Sequence, residues 1–224
     1  MRLHRFSGQR YLLLVVSLLA LFVLSPILSV SMLGRLVGGA VFLWVIFSAV
    51  WAFHRDKKVA GIGAVLGVAL LVLIVWNLVD EHRWITPAQH SIQCAFLLLL
   101  MITILGDVLR HEKVTLDTIY GAASVYLVMG LFWGSLYVIM EIASPGSFSM
   151  VHAEFEAHGY AGLTYYSFVT LTTLGYGDIT PVSRAAMVFA MLEAAIGQLY
   201  LVITVARLVG LQVAHSRTDE NLPD

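Results

Sequence analysis

The sequence contains few charges and a single cysteine, and each scarcity excludes a class of protein. Charged residues make up 12% of the 224 residues, against about 25% in soluble domains. Hydrophobic residues reach 59%, the formal net charge is −1, and no long basic tract of the kind that binds nucleic acid is present. Cys94 has no second cysteine to pair with, so we expect a packed thiol and no intrachain disulfide. The composition predicts a membrane protein.

Catalytic motifs are also missing. No His-Glu-x-x-His pair falls on a predicted helix, and no nucleophile motif is present. Most of the histidines lie in predicted loops. We therefore expect a protein that is not an enzyme and that carries no cofactor.

The apolar residues form six runs that are long enough for membrane helices, which need about 20 residues. The first run is longer than the apolar core of a signal peptide, so we interpret it as a retained helix kinked near Pro26, with a cleaved signal as the alternative. The predicted spans cover residues 11–34, 36–53, 59–79, about 87–109, 118–140 and about 182–208.

The 13 basic residues indicate the orientation of these spans. With a cytoplasmic N-terminus, ten of them lie on the inside and three, Arg35, Arg83 and Arg184, lie on the outside. This asymmetry fits the positive-inside rule and requires an even number of full spans. We predict a multi-pass protein of the cell membrane with both termini in the cytoplasm.

A short segment between the fifth and sixth spans contains alternating glycines. Residues 172–178 read Thr-Thr-Leu-Gly-Tyr-Gly-Asp, and Gly175 and Gly177 can adopt positive φ angles that other residues resist. Such a backbone lets successive carbonyls point the same way, as an ion filter requires. Residues 163–172 are predicted to form a helix too short to cross the bilayer, so the segment enters and leaves on the outer side. An ordinary turn is the alternative, because Gly-Tyr-Gly-Asp is also a turn sequence.

Residues 165–178 resemble the pore helix and selectivity filter of tetrameric potassium channels. That filter is usually Thr-Val-Gly-Tyr-Gly-Asp, with Leu174 here at the valine, and Tyr165 and Tyr166 stand where the family usually has two tryptophans. The resemblance implies an all-α polytopic membrane protein with six transmembrane helices, and with a re-entrant pore helix and filter between the fifth and sixth. It also implies a homotetramer, embedded in membrane lipid, that conducts K⁺.

The same resemblance divides the chain into three parts. Residues 1–113 would form a four-helix membrane domain that matches a voltage-sensor domain in topology but in no motif. Residues 114–211 would form the pore domain, with its similarity beginning at about residue 120. Residues 212–224 would form a short cytoplasmic tail, too short for a regulatory domain.

The resemblance also implies a role for each residue near the filter. Asp178 would accept a hydrogen bond from Tyr165 behind the filter, with direct ion binding by Asp178 as the alternative. The residues expected to support the filter are Thr172, Tyr165, Tyr166 and Asp178. The residues expected to form the ion-binding filter are Thr173, Leu174, Gly175, Tyr176 and Gly177, of which the first four offer carbonyls to K⁺ and Thr173 also offers its hydroxyl.

Two residues of the sixth span are candidates for gating. Gly197 lies where the family has a hinge glycine, with close helix packing as the alternative. Glu193 carries the charge well inside this span, where an unpaired ion would cost about 2.5–3.5 kcal/mol or more. It is either a proton- or ion-linked switch or a carboxyl bonded to pore-helix or neighbouring hydroxyls. Leu201, Val205 and Val209 would line the inner pore or contact the core or lipid.

The fourth span departs from the voltage-gated members of the family. No Lys or Arg occurs between Gln89 and Gly106, and one charge crossing the membrane is worth only about 2.3 kcal/mol per 100 mV. We therefore expect weak voltage sensing or none. The alternative function is a non-conducting membrane scaffold or enzyme, and the sequence names neither an opening stimulus nor an auxiliary subunit.

Small and acidic residues near the fifth span have simpler interpretations. Gly130 and Gly134 have the spacing of small residues in packed membrane helices, so we predict helix contacts there. Glu141, Glu154 and Glu156 precede the filter. They either concentrate cations at the outer mouth or are solvated surface charges.

Overall fold

The computed structural model describes residues 10–28, 39, 41–42, 44–49, 57–79, 84–111, 113–150 and 160–220. Most of these residues are helical, including 39, 41–42 and 44–49. The helices with defined bounds are α1 (Arg10–Leu28), α2 (Lys57–Val79), α3 (Ile85–Arg110), α4 (Leu116–Ala143), α5 (Ala161–Leu171) and α6 (Arg184–Glu220).

Four of the described helices are long and apolar enough to cross a membrane, which confirms the prediction of a multi-pass membrane protein. The apolar part of α1, Tyr11–Leu24, is shorter, and the second predicted span is described only in part. The total of six spans therefore stays a prediction. The four segments are Lys58–Asn77, Ile85–Arg110, Leu116–Ala143 and Arg184–Ala214.

The last helix is longer than predicted. We expected it to end near residue 208, but α6 continues to Glu220, so residues 212–220 of the predicted tail are helical. An interior glycine such as Gly210 costs a helix only about 1 kcal/mol, and no proline follows it before Pro223. The polar residues after the apolar part therefore extend the helix.

A small sheet corrects the prediction of an all-α protein. Strand β1 (Phe148–Met150) pairs antiparallel with β2 (Ile179–Pro181), and the Val182 N–H donates to the Ser147 carbonyl at 2.8 Å just beyond the ladder. Strands of three residues are too short to show an alternating pattern in the sequence. The sheet joins the chain that leaves α4 to the chain that follows residue 178.

Helix α4 is the centre of the described fold. It begins after Thr115, whose side-chain oxygen accepts the Thr118 N–H at 3.2 Å in a capping box. Along its length it packs against α1, α3, α5 and α6. In the apolar stretch of α4, 61% of the residues are buried, compared with 17% in the apolar stretch of Lys58–Asn77. Helix α4 therefore provides the support on which α5 and residues 172–178 are positioned.

Candidate functional site

Helix α5 lies against α4 at two glycines. A methyl group at Gly130 would come within 2.5 Å of the Phe168 ring, and one at Gly134 would come within 2.8 Å of the Thr164 Cα. Only a residue without a side chain permits so close an approach between these helices. The predicted helix contacts at this pair are confirmed, and their partner is α5.

Gly197 allows a similar approach of α5 to α6. A methyl group at this position would lie 2.5 Å from the Leu171 Cδ1 and 3.2 Å from the Leu171 carbonyl oxygen. Thr164, Phe168 and Leu171 follow one another at four and three residues, so one face of α5 makes all three glycine contacts. Close packing thus accounts for the glycine at position 197, and a gating hinge there stays a prediction.

The end of α5 is fixed by hydrogen bonds from the residues that follow it. The Thr172 hydroxyl donates to the Phe168 carbonyl at 2.7 Å. The N–H groups of Leu174 and Gly175 donate to the Val169 carbonyl at 2.9 and 3.3 Å. These bonds satisfy carbonyls that the end of a helix would leave without partners. They also direct the loop N–H groups toward α5.

Backbone angles alternate through the loop that follows α5. Thr173, Gly175 and Gly177 have φ angles of +60°, +59° and +77°, whereas Leu174 and Tyr176 do not have positive φ. Within the described part of the chain, no backbone N–H donates to the carbonyl oxygens of residues 173–176. Alternation of this kind lets neighbouring carbonyls point to the same side. The loop therefore has the backbone that a row of carbonyl ligands requires.

The positive φ of Thr173 is a feature of the loop that the sequence analysis missed. A β-branched residue resists this conformation, and such strain costs on the order of 1–3 kcal/mol. The available signal was the period of two, because counting back from Gly177 and Gly175 leads to Thr173. Strain of this size is typical of functional loops that their surroundings hold in place.

Asp178 and Tyr165 join the end of the loop to α5. The Tyr165 hydroxyl donates to Asp178 Oδ2 at 2.7 Å, and the Ile179 N–H donates to Oδ1 at 3.0 Å. A carboxylate has no hydrogen to donate, so the Tyr165 hydroxyl is the donor. Both oxygens of Asp178 have protein donors, which favours a structural role. Tyr166 is buried, with its ring centroid 5.2 Å from that of Tyr137.

Glu193 is fully buried where α4, α5 and α6 meet. Its Oε2 lies 2.5 Å from the Tyr137 hydroxyl, and its Oε1 lies 2.5 Å from the Ser167 hydroxyl. The Ser167 Oγ also lies 2.7 Å from the Gly130 carbonyl oxygen. The partners Tyr137 and Ser167 are 56 and 26 residues away in sequence. No local pattern could therefore have named them, although the charge alone identified Glu193.

Two further polar side chains of α6 were missed by the sequence analysis. The Tyr200 hydroxyl donates to the Ala122 carbonyl of α4 at 2.7 Å. The Arg207 guanidinium donates to carbonyls in the last turn of α3 at 3.0 and 2.5 Å. Glu193, Tyr200 and Arg207 are seven residues apart, which is close to two helical turns. They lie on nearly the same face of α6, and this spacing was the signal that could have found them.

The apolar residues expected to line the inner pore are exposed in the described chain. Leu201, Val205 and Val209 are 37%, 56% and 57% exposed. Their exposed surfaces can face a pore, a second copy of the chain or lipid.

Glu141 holds the turn that follows α4. Its two carboxylate oxygens accept the N–H groups of Gly146 and Phe148 at 2.7 and 3.1 Å. These bonds give Glu141 a structural use that neither sequence interpretation included. The other predicted mouth residues, Glu154 and Glu156, lie outside the described residues.

Comparisons with known proteins point to one family. The family described as "Ion channel" matches residues 114–212, which contain α4, both strands, α5, the loop and most of α6. Two similar proteins are the "Voltage-gated potassium channel Kch" of Escherichia coli (strain K12), 26% identical over 150 residues, and the "Two pore potassium channel c" of Oryza sativa subsp. japonica, 39% identical over 72 residues. Residues 114–212 are therefore similar to ion channels, and both relatives are named as potassium channels rather than as enzymes.

The similarity covers only part of each relative. The matched regions include 66% and 32% of this chain, but 32% and 14% of the two potassium channels. The chain thus spans about a third of the Escherichia coli protein and about a seventh of the Oryza sativa protein. No solved structure matches the chain significantly.

Proposed function

We propose that this chain conducts K⁺ passively through a selectivity filter formed by residues 173–177. The observation that carries the proposal is the alternation of positive φ at Thr173, Gly175 and Gly177 inside the segment that matches ion channels. K⁺ exchanges its hydration water for the carbonyl oxygens of residues 173–176 and the Thr173 hydroxyl. Because four copies are needed to close each ring of oxygens, the proposed assembly is a homotetramer.

The proposed topology places the filter on the outer side of a cell membrane. The chain crosses six times and both termini lie in the cytoplasm, an arrangement that fits the distribution of basic residues. Helix α5 has 11 residues and is too short to span a bilayer, which needs about 20, so it enters and returns on one side. Its C-terminal end faces the axis, where about half a negative charge from the helix dipole favours a cation.

Conduction is tested by reconstituting the purified chain in lipid bilayers with a K⁺ gradient. We expect a K⁺-selective current that is lost in Gly175→Ala and Gly177→Ala, because alanine resists positive φ. Gly146→Ala is the matched control, since Gly146 has a φ of +84°, lies outside the loop and has no atom within 4 Å of the place a methyl group would occupy. A chain without K⁺-selective current, or filter variants that conduct like the control, would favour a non-conducting scaffold.

Voltage dependence is expected to be weak. One relative is named as voltage-gated, but α3 contains no Lys or Arg between residues 89 and 106. Few charges move in the field, so the open probability should change little with voltage. Single-channel recordings from strongly negative to strongly positive potentials measure this directly. Steep activation with voltage would show that another segment carries gating charge.

A further inference from the structure

The hydrogen bonds around Glu193 contain too few protons for an ionised carboxylate. The Ser167 Oγ lies 2.5 Å from Glu193 Oε1 and 2.7 Å from the Gly130 carbonyl oxygen. A serine hydroxyl has one hydrogen, and a carbonyl has none to donate. If Glu193 is ionised, Ser167 faces two acceptors with one proton, and one short contact has no hydrogen in it.

A proton on Glu193 Oε1 satisfies every short contact. The carboxyl then donates to Ser167, and the Ser167 hydroxyl donates to the Gly130 carbonyl. The Tyr137 hydroxyl donates to the remaining oxygen, Oε2, at 2.5 Å. All four groups are paired, as buried polar groups in proteins normally are.

The described residues around Glu193 offer no opposite charge to an ionised carboxylate. The titratable groups that face Glu193 are phenols: Tyr137 and Tyr126 on α4 and Tyr166 on α5. Among the described residues, no Lys, Arg or His bonds to its carboxyl, which is fully buried. A buried charge without an ionic partner is costly.

We infer that Glu193 is held neutral and positions α5 by donating a hydrogen bond to Ser167. The hydrogen bonds link Glu193 on α6 to Ser167 on α5, and Ser167 to the Gly130 carbonyl on α4. Ser167 lies one turn before Leu171, the residue that contacts Gly197 of α6. It fixes the depth and rotation of the helix from which the loop of residues 172–178 extends. Glu193 touches no proposed ion ligand, so it acts through Ser167 as a positioning residue.

Infrared difference spectroscopy at neutral pH tests the proton itself. The wild-type spectrum minus that of Glu193→Gln should contain the carbonyl stretch of a protonated carboxyl. In Tyr137→Phe this band should move to higher frequency, because the Oε2 carbonyl loses its donor. A carboxylate signal in place of the protonated band, or a band that Tyr137→Phe leaves unchanged, would overturn the assignment. This readout does not depend on conduction.

K⁺ flux from reconstituted vesicles tests the positioning role, which matters only if the proposed channel function is correct. Glu193→Gln should keep wild-type flux, since its amide donates to Ser167 and accepts from Tyr137 as the neutral acid does. Glu193→Leu and Ser167→Ala should lower flux by about fivefold or more, the effect of losing one hydrogen bond.

Ser135→Ala is the matched control for Ser167→Ala. Ser135 is also buried and bonds to a backbone carbonyl at 2.9 Å, but within α4 alone, so its flux should equal that of wild type. A Glu193→Gln protein that loses flux like Glu193→Leu would overturn the positioning role. Absence of flux in every protein, with the protonated band present, would instead contradict the channel function.

Discussion

The two ends of the α6 helix are attached to the rest of the chain in different ways. We define the filter end as Ala186 to Gly197 with α5 packed against it. It is held by the close packing of α5 that Gly197 permits and by the buried Glu193. The far end, from Tyr200 to Gly210, is held by the Tyr200 hydroxyl and by the Arg207 guanidinium. The first attachment combines close packing with buried side-chain hydrogen bonds, and the second consists of hydrogen bonds to backbone carbonyls.

This difference indicates where motion costs least. At the filter end, moving α6 would break buried hydrogen bonds and leave a cavity beside α5, both of which are expensive. At the filter end Ala186, Ala190 and Glu193 are buried, whereas no residue of α6 from Tyr200 to Gly210 is buried, so less packing opposes a displacement of the far end. We expect the filter end to act as a fixed frame and the far end to move during any gating.

The largest effect should come from Gly134→Ala, which breaks the frame on the α4 side. The new methyl group would lie 2.8 Å from the Thr164 Cα, and backbone of α5 cannot rotate away as a side chain can. Overpacking of this kind destabilises by about 1–3 kcal/mol. Thermal unfolding in detergent, followed by tryptophan fluorescence, should show a lower midpoint, and K⁺ flux should fall with it.

Gly106→Ala is the control for this substitution. Gly106 lies in α3, and a methyl group there meets nothing within 4 Å, so the change should leave stability unchanged or raise it through helix propensity. If Gly134→Ala unfolded at the same temperature as Gly106→Ala, α5 would not be held by the close approach that the fixed frame requires.

The sequence predicted the helices and the loop better than the contacts between them. Apolar runs and charge boundaries located α2, α3 and α4 within a few residues, because membrane helices carry a strong local signal. The loop was found from the glycines at 175 and 177. The partners of Glu193 and the contact of Leu171 with Gly197 were not, because contacts between distant residues leave no periodic trace.

The end of α6 and the small sheet were missed for a different reason. Helix α6 outlasts its apolar pattern by several residues, and hydropathy reports the boundary of the apolar part rather than that of the helix. Strands β1 and β2 have three residues each and pair across a long separation in sequence, so no local pattern indicates them. Arg207 was counted as an inside charge, whereas its bonds to α3 depend on how two distant helices end.

A smaller effect, confined to the far end, is expected from Arg207→Gln. The guanidinium donates to the carbonyls of Val108, Leu109 and His111 at 3.0, 2.5 and 3.3 Å, and cations are favoured at a helix C-terminus. Losing these charge-assisted bonds should speed amide hydrogen exchange in residues 203–214 by about tenfold, while residues 186–197 should exchange as in the wild type.

Arg184→Gln is the control, because Arg184 is an exposed arginine at the start of α6. This substitution should change hydrogen exchange in neither region. Faster exchange at both ends in Arg207→Gln would mean that α6 moves as one body. The distinction between a fixed frame and a mobile end would then fail.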